Sequence, residues 1–473
     1  MLEKLHKKYT ILLLLVILLL FIFINYLAMS ITTLFYPYDA DYSEGFILTK
    51  SIRLLEGKNV YQDINLPPFS IINYPPIFFL VNSFTMKLFG ENLFSARLIS
   101  FTSSILIGYL IYLIVYKESR NRTISVISSL LFFSSFVTFF ISPLARVDVL
   151  AALFAVLGIY CMTKYKKRKY LFLAIIFFIL SVLTKQTYIA APVASFFYLL
   201  LNDRKMSWKF LIGFILPCIL IIILINFLTD GQFLLHLIRY NIGIITFDYN
   251  LFNYLFFTNF IVLCLSVYFF KKSKNLFSLY FTFSLIILIL QFFRAGGSAY
   301  YFFELTIITS ILTGFLLNYF RFNPNNQLFL IFIIFLQLIL FIQRDTRVLL
   351  FIFKPNDYPP LVNLVTDEKI SSYAQNSTGN VLVEHATFAR INNKEISIEP
   401  SSVYELEKNK ILGSSEILRF IKSKNCTLIA FYSRFNLIEG LRDYIEKNYR
   451  LTDELNWESL ESVSWTWKIY KKI

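Results

Sequence analysis

The sequence predicts a mainly α-helical membrane protein. We expect a polytopic bundle of about 11 transmembrane helices, re-entrant or interfacial helices in the first outer loop, and a small C-terminal α/β domain outside the membrane. The chain of 473 residues is 57% hydrophobic, with a mean hydropathy of +0.61, whereas soluble domains are about 45–50% apolar. Apolar runs recur along the chain, and a spanning helix needs about 20 apolar residues. Short basic blocks separate alternate runs, which is typical of cytoplasmic loops.

The first apolar run, residues 10–29, follows several lysines and begins like a secretory signal peptide. It is too long for such a peptide and lacks a cleavage site with small residues, so we expect a retained membrane anchor. A shorter apolar stretch from Tyr74 to Val81 starts with prolines and predicts a re-entrant or interfacial helix. The other predicted spans cover residues 95–116, 123–141, 147–163, 170–184, 186–201, 209–228, 251–270, 275–293, 303–320 and 327–343.

The basic residues predict the orientation of these spans. With eleven spans, the lysine and arginine blocks all lie on the side of the N-terminus, while the opposite short loops carry one cation each. Cytoplasmic loops are enriched in lysine and arginine, so we expect a multi-pass cell-membrane protein with a cytoplasmic N-terminus and an extracytoplasmic C-terminal domain. The same blocks account for the net charge of +15, so the expected partner is the lipid bilayer and not a nucleic acid. The single outer cations are Arg146, Lys185, Arg239 and Arg294.

A change in composition near residue 343 predicts two domains. Residues 1–343 form the transmembrane domain, and residues 344–473 form the small extracytoplasmic α/β domain. The second domain contains no glycine-rich phosphate loop and no metal-ligand spacing, and the four cysteines imply no disulfide framework. Its buried apolar runs and helix start signals predict strands at 380–384, 427–431 and 465–470, one helix from Ser414 and another over 437–449.

The first outer loop, residues 30–94, opens with three carboxylates, Asp39, Asp41 and Glu44. Charged side chains near the hydrocarbon are costly and usually mark a functional site. A carboxylate here could act as a catalytic general base. Asp41 and Glu44 could also hold a divalent metal ion, the one cofactor that we consider. The structural alternative is a helix N-terminus, where acidic residues are favoured. If that helix begins by Asp41, then Asp41 and Glu44 share one face.

A second acidic residue on the outer side, Asp148, follows Arg146 closely in a short loop. The two residues could form a local ion pair, which contributes little at a surface. Alternatively they line the same cavity as the acidic loop.

The remaining candidates concern substrate binding. An outward lysine or arginine could extend to lipid headgroups or bind a lipid phosphate, and both readings stay open. Glu304 is a carboxylate at the outer end of a span, and Tyr74 precedes two prolines that shape the loop. The candidate substrate-binding residues are therefore Arg146, Lys185, Arg239, Arg294, Tyr74 and Glu304.

Several short motifs occur in an order that resembles a known family. After the anchor and the acidic loop come Leu54–Gly57 with Val60–Tyr61, and then Tyr74-Pro75-Pro76. Ala96-Arg97-Leu98, Ala145–Asp148 and Leu183–Gln186 follow. Over roughly residues 10–305 this order resembles the polytopic GT-C glycosyltransferases, which include protein O-mannosyltransferases, aminoarabinose transferases and lipopolysaccharide core glycosyltransferases. The C-terminal tail resembles the small outer domain of many members.

The resemblance implies an enzyme that transfers a hexose or pentose from a polyprenyl-phosphate donor to a glycan, lipid or protein acceptor. The reaction would occur on the outer leaflet and invert the anomeric carbon. Family members carry an adjacent Asp-Glu pair in this loop. Counting back from Gly57, the glutamate falls on Glu44 and the aspartate on Ser43, so Asp41 is the nearest aspartate. The resemblance therefore leaves the base as either Asp41 or Glu44. It also implies that Asp148 is the second catalytic acid of the outer side and that Lys185 and Arg294 are candidate ligands of the donor phosphate.

Two other classes of membrane protein are alternatives. A transporter or flippase of lipid-linked oligosaccharides typically shows charges inside its spans and two similar halves, and neither is clear in this sequence. An O-antigen-type polymerase or ligase usually has its large outer loop late in the chain, whereas here that loop follows the first span.

Overall fold

The computed structural model describes residues 2–66, 69–241, 275–293, 299–391, 398, 402–403, 406–407, 409, 411–432, 438–458 and 464–473. The predicted fold class is confirmed, because a bundle of apolar helices is followed by a small C-terminal sheet. The count of eleven spans stays a prediction, and the span predicted at 251–270 lies outside the described residues. Within the described part of the chain, five helices are long and apolar enough to cross a membrane: Thr10–Phe35, Leu93–Ser119, Arg204–Leu228, Tyr300–Tyr319 and Pro324–Arg344.

The described helices begin and end close to the predicted runs. Where the sequence predicts one span at 123–141, helix α5 ends at Phe133 and a π-helical turn, Val137–Ile141, follows. In chain order the helices are α1 (Leu2–Phe35), α2 (Ser43–Leu55), α3 (Ile77–Phe89), α4 (Leu93–Ser119), α5 (Arg122–Phe133), α6 (Val147–Met162), α7 (Arg168–Thr184), α8 (Ala190–Asn202), α9 (Arg204–Leu228), α10 (Gln232–Leu234), α11 (Leu276–Gln291), α12 (Phe303–Tyr319), α13 (Pro324–Arg344), α14 (Arg347–Leu350), α15 (Pro359–Asn376), α16 (Ala386–Ile391), α17 (Ser414–Lys424) and α18 (Leu441–Asn448).

Side-chain caps fix the starts of several bundle helices. Asn92, Asn121 and Asp203 each accept a hydrogen bond from a backbone N–H in the first turn of the helix that follows. Such caps satisfy donors that have no partner within the helix. Helix α6 packs against α4, α7, α8 and α12. The loop immediately before α6, which contains Arg146, is therefore held among several helices.

The first outer loop folds into two short helices, as the sequence predicts. The acidic stretch precedes α2, with Glu44 in its first turn, and the proline segment leads into α3. The helix begins at Ser43 and not at Asp41, because the Asp41 side chain accepts a hydrogen bond from the Ser43 N–H in a local turn at 3.0 Å. The condition for a shared helix face, a helix that begins by Asp41, is therefore not met.

The C-terminal domain contains a four-stranded sheet with the strand order β1-β2-β4-β3. The sequence predicts β1 (Val381–Val383), β2 (Leu428–Phe431) and β4 (Ser464–Lys472), but not β3 (Tyr449–Glu458). Strand β1 runs parallel to β2, and β4 pairs antiparallel with both β2 and β3. Strand β3 is mostly exposed and polar, so it lacks the apolar run that marks a buried strand.

The C-terminal domain packs directly on the first outer loop. Tyr36 and Tyr38, which follow α1, belong to one apolar cluster with Phe388 and Trp467 of the C-terminal domain. The Tyr36 hydroxyl also donates a hydrogen bond to Asp367 on α15. The predicted boundary at residue 343 stays a prediction, but the first outer loop and the C-terminal domain share a buried interface.

The Asp367 carboxyl should make this interface sensitive to pH. Burial raises the pKa of Asp367 to about 8, above its ordinary value of about 3.9. A raised pKa in the folded state means that the stabilisation is complete below the unfolded pKa and is lost as the pH rises through about 8. We expect thermal stability to fall between about pH 4 and pH 8 and to change no further from this group above about pH 8, measured by fluorescence of the tryptophans in this domain.

The control for this effect is Asp367→Asn, which keeps the shape and cannot ionise. It should flatten the pH profile, although not completely, because burial also raises the pKa of Asp39 in the same interface. An unchanged profile in Asp367→Asn would contradict the assignment to this carboxyl.

Candidate active site

A buried ion pair between Arg97 and Glu44 anchors the acidic loop. Both side chains are fully buried, and two guanidinium N–H groups of Arg97 donate to the two carboxylate oxygens at 2.8 and 2.7 Å. The other three N–H groups donate to the carbonyls of Thr33, Tyr36 and Tyr38 at 2.5–2.7 Å. An arginine has five N–H donors, and here each has an acceptor. Arg97 therefore joins the end of α1 and the acidic loop to α4.

The Glu44 carboxylate likewise makes as many hydrogen bonds as its two oxygens can accept. In addition to Arg97, it accepts hydrogen bonds from the backbone N–H groups of Ala40, Asp41 and Ala145 at 2.9, 3.3 and 2.7 Å. These contacts connect the acidic loop with the loop that precedes α6. A carboxylate with five donors is a positioning group, because a substrate hydroxyl or a metal ion would have to displace one of them.

The residues present do not fit a metal ion at Asp41 and Glu44. Both glutamate oxygens face the Arg97 guanidinium, whose positive charge would repel a cation at the same distance. Within the ranges that the structure describes, no group of three His, Cys, Asp or Glu side chains is placed to ligate a metal.

Asp41 is the most accessible carboxylate of the acidic loop, with 38% of its side chain exposed. Arg146 Nη1 donates to its Oδ1 at 3.1 Å. The Ser43 hydroxyl donates to the same oxygen and in turn accepts a hydrogen bond from Arg146. The Asp41 carboxylate is therefore held in one orientation while remaining accessible to solvent. It is the acidic residue that a substrate can reach most easily.

Arg146 and Lys185 form a buried charged cluster beneath Asp41, with Asp148 between them. Lys185 Nζ lies 2.5 Å from Asp148 Oδ1, and Arg146 Nε lies 3.9 Å from Asp148 Oδ2. The side chains of Lys185 and Asp148 are 3% and 1% exposed. The structure thus brings together charged residues from three separate segments of the chain, and the predicted roles of these residues stay predictions.

Tyrosine rings cover this charged cluster. The Arg146 guanidinium lies 4.1 Å from the ring centroid of Tyr300. Lys185 Nζ lies 4.6 Å from the Tyr300 ring, 4.7 Å from Tyr301 and 5.6 Å from Tyr74. Cations are attracted to the faces of aromatic rings at such distances. Tyr74 therefore lies beside the cluster, and its predicted role in substrate binding stays a prediction. The sequence pattern does not select Tyr300 or Tyr301.

Glu304 lies deeper, in the first turn of α12. It is buried and accepts a hydrogen bond from the Tyr280 hydroxyl on α11 at 3.1 Å. Among the described residues, no ion pair or hydrogen bond joins Glu304 to Asp148 or Lys185, and its predicted role in substrate binding stays a prediction. An ionisable group at this depth usually has a functional role.

Asp39 faces the C-terminal domain and not Asp41. The Thr387 hydroxyl donates to its Oδ1 at 2.6 Å, and His385 Nδ1 lies 3.7 Å from its Oδ2. Burial raises the pKa of Asp39 well above its ordinary value, despite the hydrogen bond from Thr387. A substituent on Gly45 would meet Asp39 at 2.9 Å, so the side chain is tightly enclosed. These contacts indicate that Asp39 docks the C-terminal domain on the acidic loop.

Two other predicted cations are not part of the described cluster. Arg239 is exposed at the end of a π-helical turn, and no contact among the described residues joins it to Asp148 or Lys185. Arg294 lies outside the described residues. The roles predicted for both in phosphate binding stay predictions.

Neighbouring His236 has a structural role in the first outer loop. Its Nδ1 accepts from the Ile72 N–H at 3.1 Å, and its Nε2 lies 2.7 Å from the Gln62 carbonyl. Burial lowers its pKa, which favours the neutral ring that this pair of contacts requires. His236 therefore connects the first outer loop to the segment that follows α9 through these two contacts.

Sequence reasoning missed Arg97 as a site residue. The residue occurs in one of the short motifs, but the motif alone does not reveal what the side chain does. The available signal was an arginine inside an apolar run, because a charged residue in a span needs a partner. Glu44 supplies that partner, 53 positions away in the chain.

Comparison with known proteins gives the class of protein to which this geometry is similar. Residues 73–228 match the model of the dolichyl-phosphate-mannose-protein mannosyltransferase family. The oligosaccharyltransferase of Archaeoglobus fulgidus, in its apo form, is similar over 90% of this chain and 69% of its own, with a TM-score of 0.58 and 12% identity. None of the curated proteins compared with this sequence matches it. The resemblance to the polytopic GT-C glycosyltransferases is therefore confirmed at the level of the fold.

The similarity extends over nearly the whole chain for one protein. The crystal structure of ArnT from Cupriavidus metallidurans bound to undecaprenyl phosphate is similar over 95% of this chain and 98% of its own, with a TM-score of 0.61 and 11% identity. Its apo structure gives a TM-score of 0.60 and 10% identity. The chain thus has an ArnT-like fold, which includes the C-terminal domain.

Proposed function

We propose that this protein is a membrane glycosyltransferase that uses a polyprenyl-phosphate-linked sugar. The acceptor is a glycan, a lipid or a protein, and the reaction takes place on the outer face of the cell membrane. The observation that carries the proposal is the accessible Asp41 carboxylate, held by Arg146 directly above the buried Arg146–Asp148–Lys185 cluster. This cluster lies in a fold shared with ArnT, one structure of which is bound to undecaprenyl phosphate.

Asp41 would act as the general base. It takes the proton from an acceptor hydroxyl while the hydroxyl oxygen forms a bond to the anomeric carbon of the donor sugar. The bond from that carbon to the phosphate oxygen breaks, and its electron pair leaves with the polyprenyl phosphate. Direct displacement inverts the anomeric carbon. Glu44 does not compete for this role, because Arg97 and three backbone N–H groups occupy its oxygens.

Lys185 and Arg146 would bind the donor phosphate. An ammonium group has three donors, and the hydrogen bond to Asp148 uses one of them. The tyrosine rings keep the ammonium in place without occupying its N–H groups in strong hydrogen bonds. A phosphate that arrives from the bilayer would then gain charge-assisted hydrogen bonds in a site with little water.

Lys185→Gln should weaken binding of undecaprenyl phosphate by about tenfold or more, because a charge-assisted hydrogen bond contributes about 1.5–3 kcal/mol. The affinity is measured on purified protein in lipid nanodiscs. Since this change leaves Asp148 without its partner, the Lys185→Gln/Asp148→Asn double variant provides a neutral version of the site. It should fold normally and still bind the lipid weakly.

The matched control is Lys87→Gln, which changes an exposed lysine on α3 of the same loop. It should bind undecaprenyl phosphate like the wild type. If Lys185→Gln and the double variant both bind the lipid normally, the cluster does not hold the phosphate and the proposed donor is wrong.

The orientation of the protein is also part of the proposal. The alternation of basic blocks supports a cytoplasmic N-terminus and an extracytoplasmic C-terminal domain. A reporter enzyme fused after Lys169 should be active only inside the cell, and one fused after Asn356 only outside. A cytoplasmic signal after Asn356 would place the acidic loop on the wrong side, because the loop and the C-terminal domain share one buried interface.

A further inference from the structure

The backbone around Asp41 is held by two different parts of the protein. At the start of α2, the Glu44 carboxylate accepts hydrogen bonds from the backbone N–H groups of Ala40 and Asp41 at 2.9 and 3.3 Å. From the C-terminal domain, the Thr387 hydroxyl donates to Oδ1 of Asp39 at 2.6 Å. The position of Asp41 therefore depends on the C-terminal domain as well as on Glu44.

The first turns of α2 and α16 approach each other closely at Gly45. A Cβ atom on Gly45 would lie 2.9 Å from the Thr387 hydroxyl oxygen and 3.0 Å from the Thr387 backbone nitrogen. It would also lie 2.9 Å from Asp39 Oδ2. A larger residue at this position would have to push the two turns apart, because packed interiors have no room for such overlap. The glycine therefore allows the C-terminal domain to reach the acidic loop.

His385 adds contacts on both sides of Asp41 along the chain. Before Asp41, Oδ2 of Asp39 lies 3.7 Å from Nδ1 of His385. After it, the ring centroid of Tyr42 lies 5.9 Å from that of His385, in an edge-on arrangement. Four aromatic rings of the C-terminal domain hold His385 in turn, at centroid distances of 5.2–6.1 Å: Phe388, Tyr432, Trp457 and Trp467. The C-terminal domain thus contacts the acidic loop both before and after Asp41.

We propose that Thr387 and His385 of the C-terminal domain are positioning residues for sugar transfer. Through Asp39 they hold the acidic loop, so that the Asp41 carboxylate stays within reach of the acceptor hydroxyl. This inference rests on the proposed function, because it takes Asp41 as the general base. Arg146, which donates to Asp41, belongs to the loop before α6, so a shift of the acidic loop moves the base relative to the phosphate site. A displacement of about 1 Å can lower a rate by about 10²-fold.

The loss of one contact at Asp39 should loosen the acidic loop without detaching the C-terminal domain. The domain also packs on the first outer loop through a second apolar cluster, which contains Ile64, Phe69 and Ile71, and the Ile71 N–H donates to the Ser402 hydroxyl at 3.2 Å. Lys185, which we assign to the donor phosphate, is held by other helices. A change in positioning should therefore lower the maximal rate and leave the KM for the donor unchanged.

The test removes the Thr387 hydroxyl from the full-length protein. Thr387→Val keeps the shape and loses the donor to Asp39, so we expect the maximal rate per folded protein to fall by about tenfold with an unchanged KM for the donor. Gly45→Ala, which pushes α2 away from α16, should have the same effect from the other side of the contact. Thr387→Ser keeps a hydroxyl and should restore the rate. Rates are measured in membrane vesicles that contain the acceptor, with whichever of undecaprenyl-phosphate mannose, glucose and galactose the wild type uses best.

The matched control is Thr366→Val on α15, because the Thr366 hydroxyl donates to the Asn456 carbonyl within the C-terminal domain at 2.9 Å. It should change neither the rate nor the KM. Wild-type rates in both Thr387→Val and Gly45→Ala would overturn the positioning role. Losses that follow the amount of folded protein, or that appear in the KM, would overturn it as well. Full activity in Asp41→Asn would instead overturn the base in the proposed function.

Discussion

Asp41→Asn is expected to lower the rate of sugar transfer by about 10²-fold or more, the usual contribution of a general base. The amide keeps the size of the side chain and can still accept hydrogen bonds from Ser43 and Arg146. Because Asp41 is partly exposed, its replacement should leave the amount of folded protein unchanged. Transfer is measured in membranes with a labelled lipid-linked sugar that the wild type uses.

The control for Asp41 is Asp63→Asn in the same outer loop. Asp63 is exposed and accepts a hydrogen bond from the N–H two residues later, in the same kind of turn that Asp41 forms. This variant should transfer sugar normally. Asp39→Asn should reduce transfer less than Asp41→Asn, because Asp39 faces Thr387 of the C-terminal domain. Full activity in Asp41→Asn would remove the base from the proposed mechanism, and the transporter alternative would gain support.

Arg97→Met is expected to cause the largest loss of stability in this region, about 3–5 kcal/mol, because it leaves the buried Glu44 carboxylate without its charged partner. Three backbone carbonyls at the start of the acidic loop would lose their donors as well. The free energy of unfolding and the protease resistance of the first outer loop are the relevant measurements. Arg122→Met, which changes an exposed arginine at the start of α5, should have little effect.

A double variant separates the charge from the packing. Arg97→Met/Glu44→Gln removes both charges, so it should be more stable than the sum of the two single changes predicts. Activity should follow the amount of folded protein in Glu44→Gln, whereas it should fall at constant folded protein in Asp41→Asn. A Glu44→Gln variant that is stable but inactive would show that Glu44 acts on the substrate directly and would contradict the positioning role.

The sequence alone does not decide whether Asp41 or Glu44 is the better candidate for the general base. Both residues are candidates for the base on sequence grounds, and the spacing to Gly57 favours Glu44. The three-residue spacing also suggests a shared helix face. The choice depends on Arg97, which is distant in the chain, and on the exact start of α2. Neither can be inferred from local pattern, because the partner of a buried charge is selected by packing.

The sequence by itself determined the class of fold and selected the region in which we propose the site. Hydropathy and the basic blocks predict a helical membrane protein, since lipid permits few ways to satisfy backbone groups. Charged side chains near the hydrocarbon are costly, and this cost is why the carboxylates of the first outer loop and the single cations of the opposite loops are candidates for a functional role. Only the tertiary structure showed that Asp41, Arg146, Asp148 and Lys185 meet, that Tyr300 and Tyr301 cover them, and that the C-terminal domain holds Asp39. These contacts join helices and loops that are far apart in sequence. The periodicity of apolar residues within one segment gives no information about which distant segment packs against it.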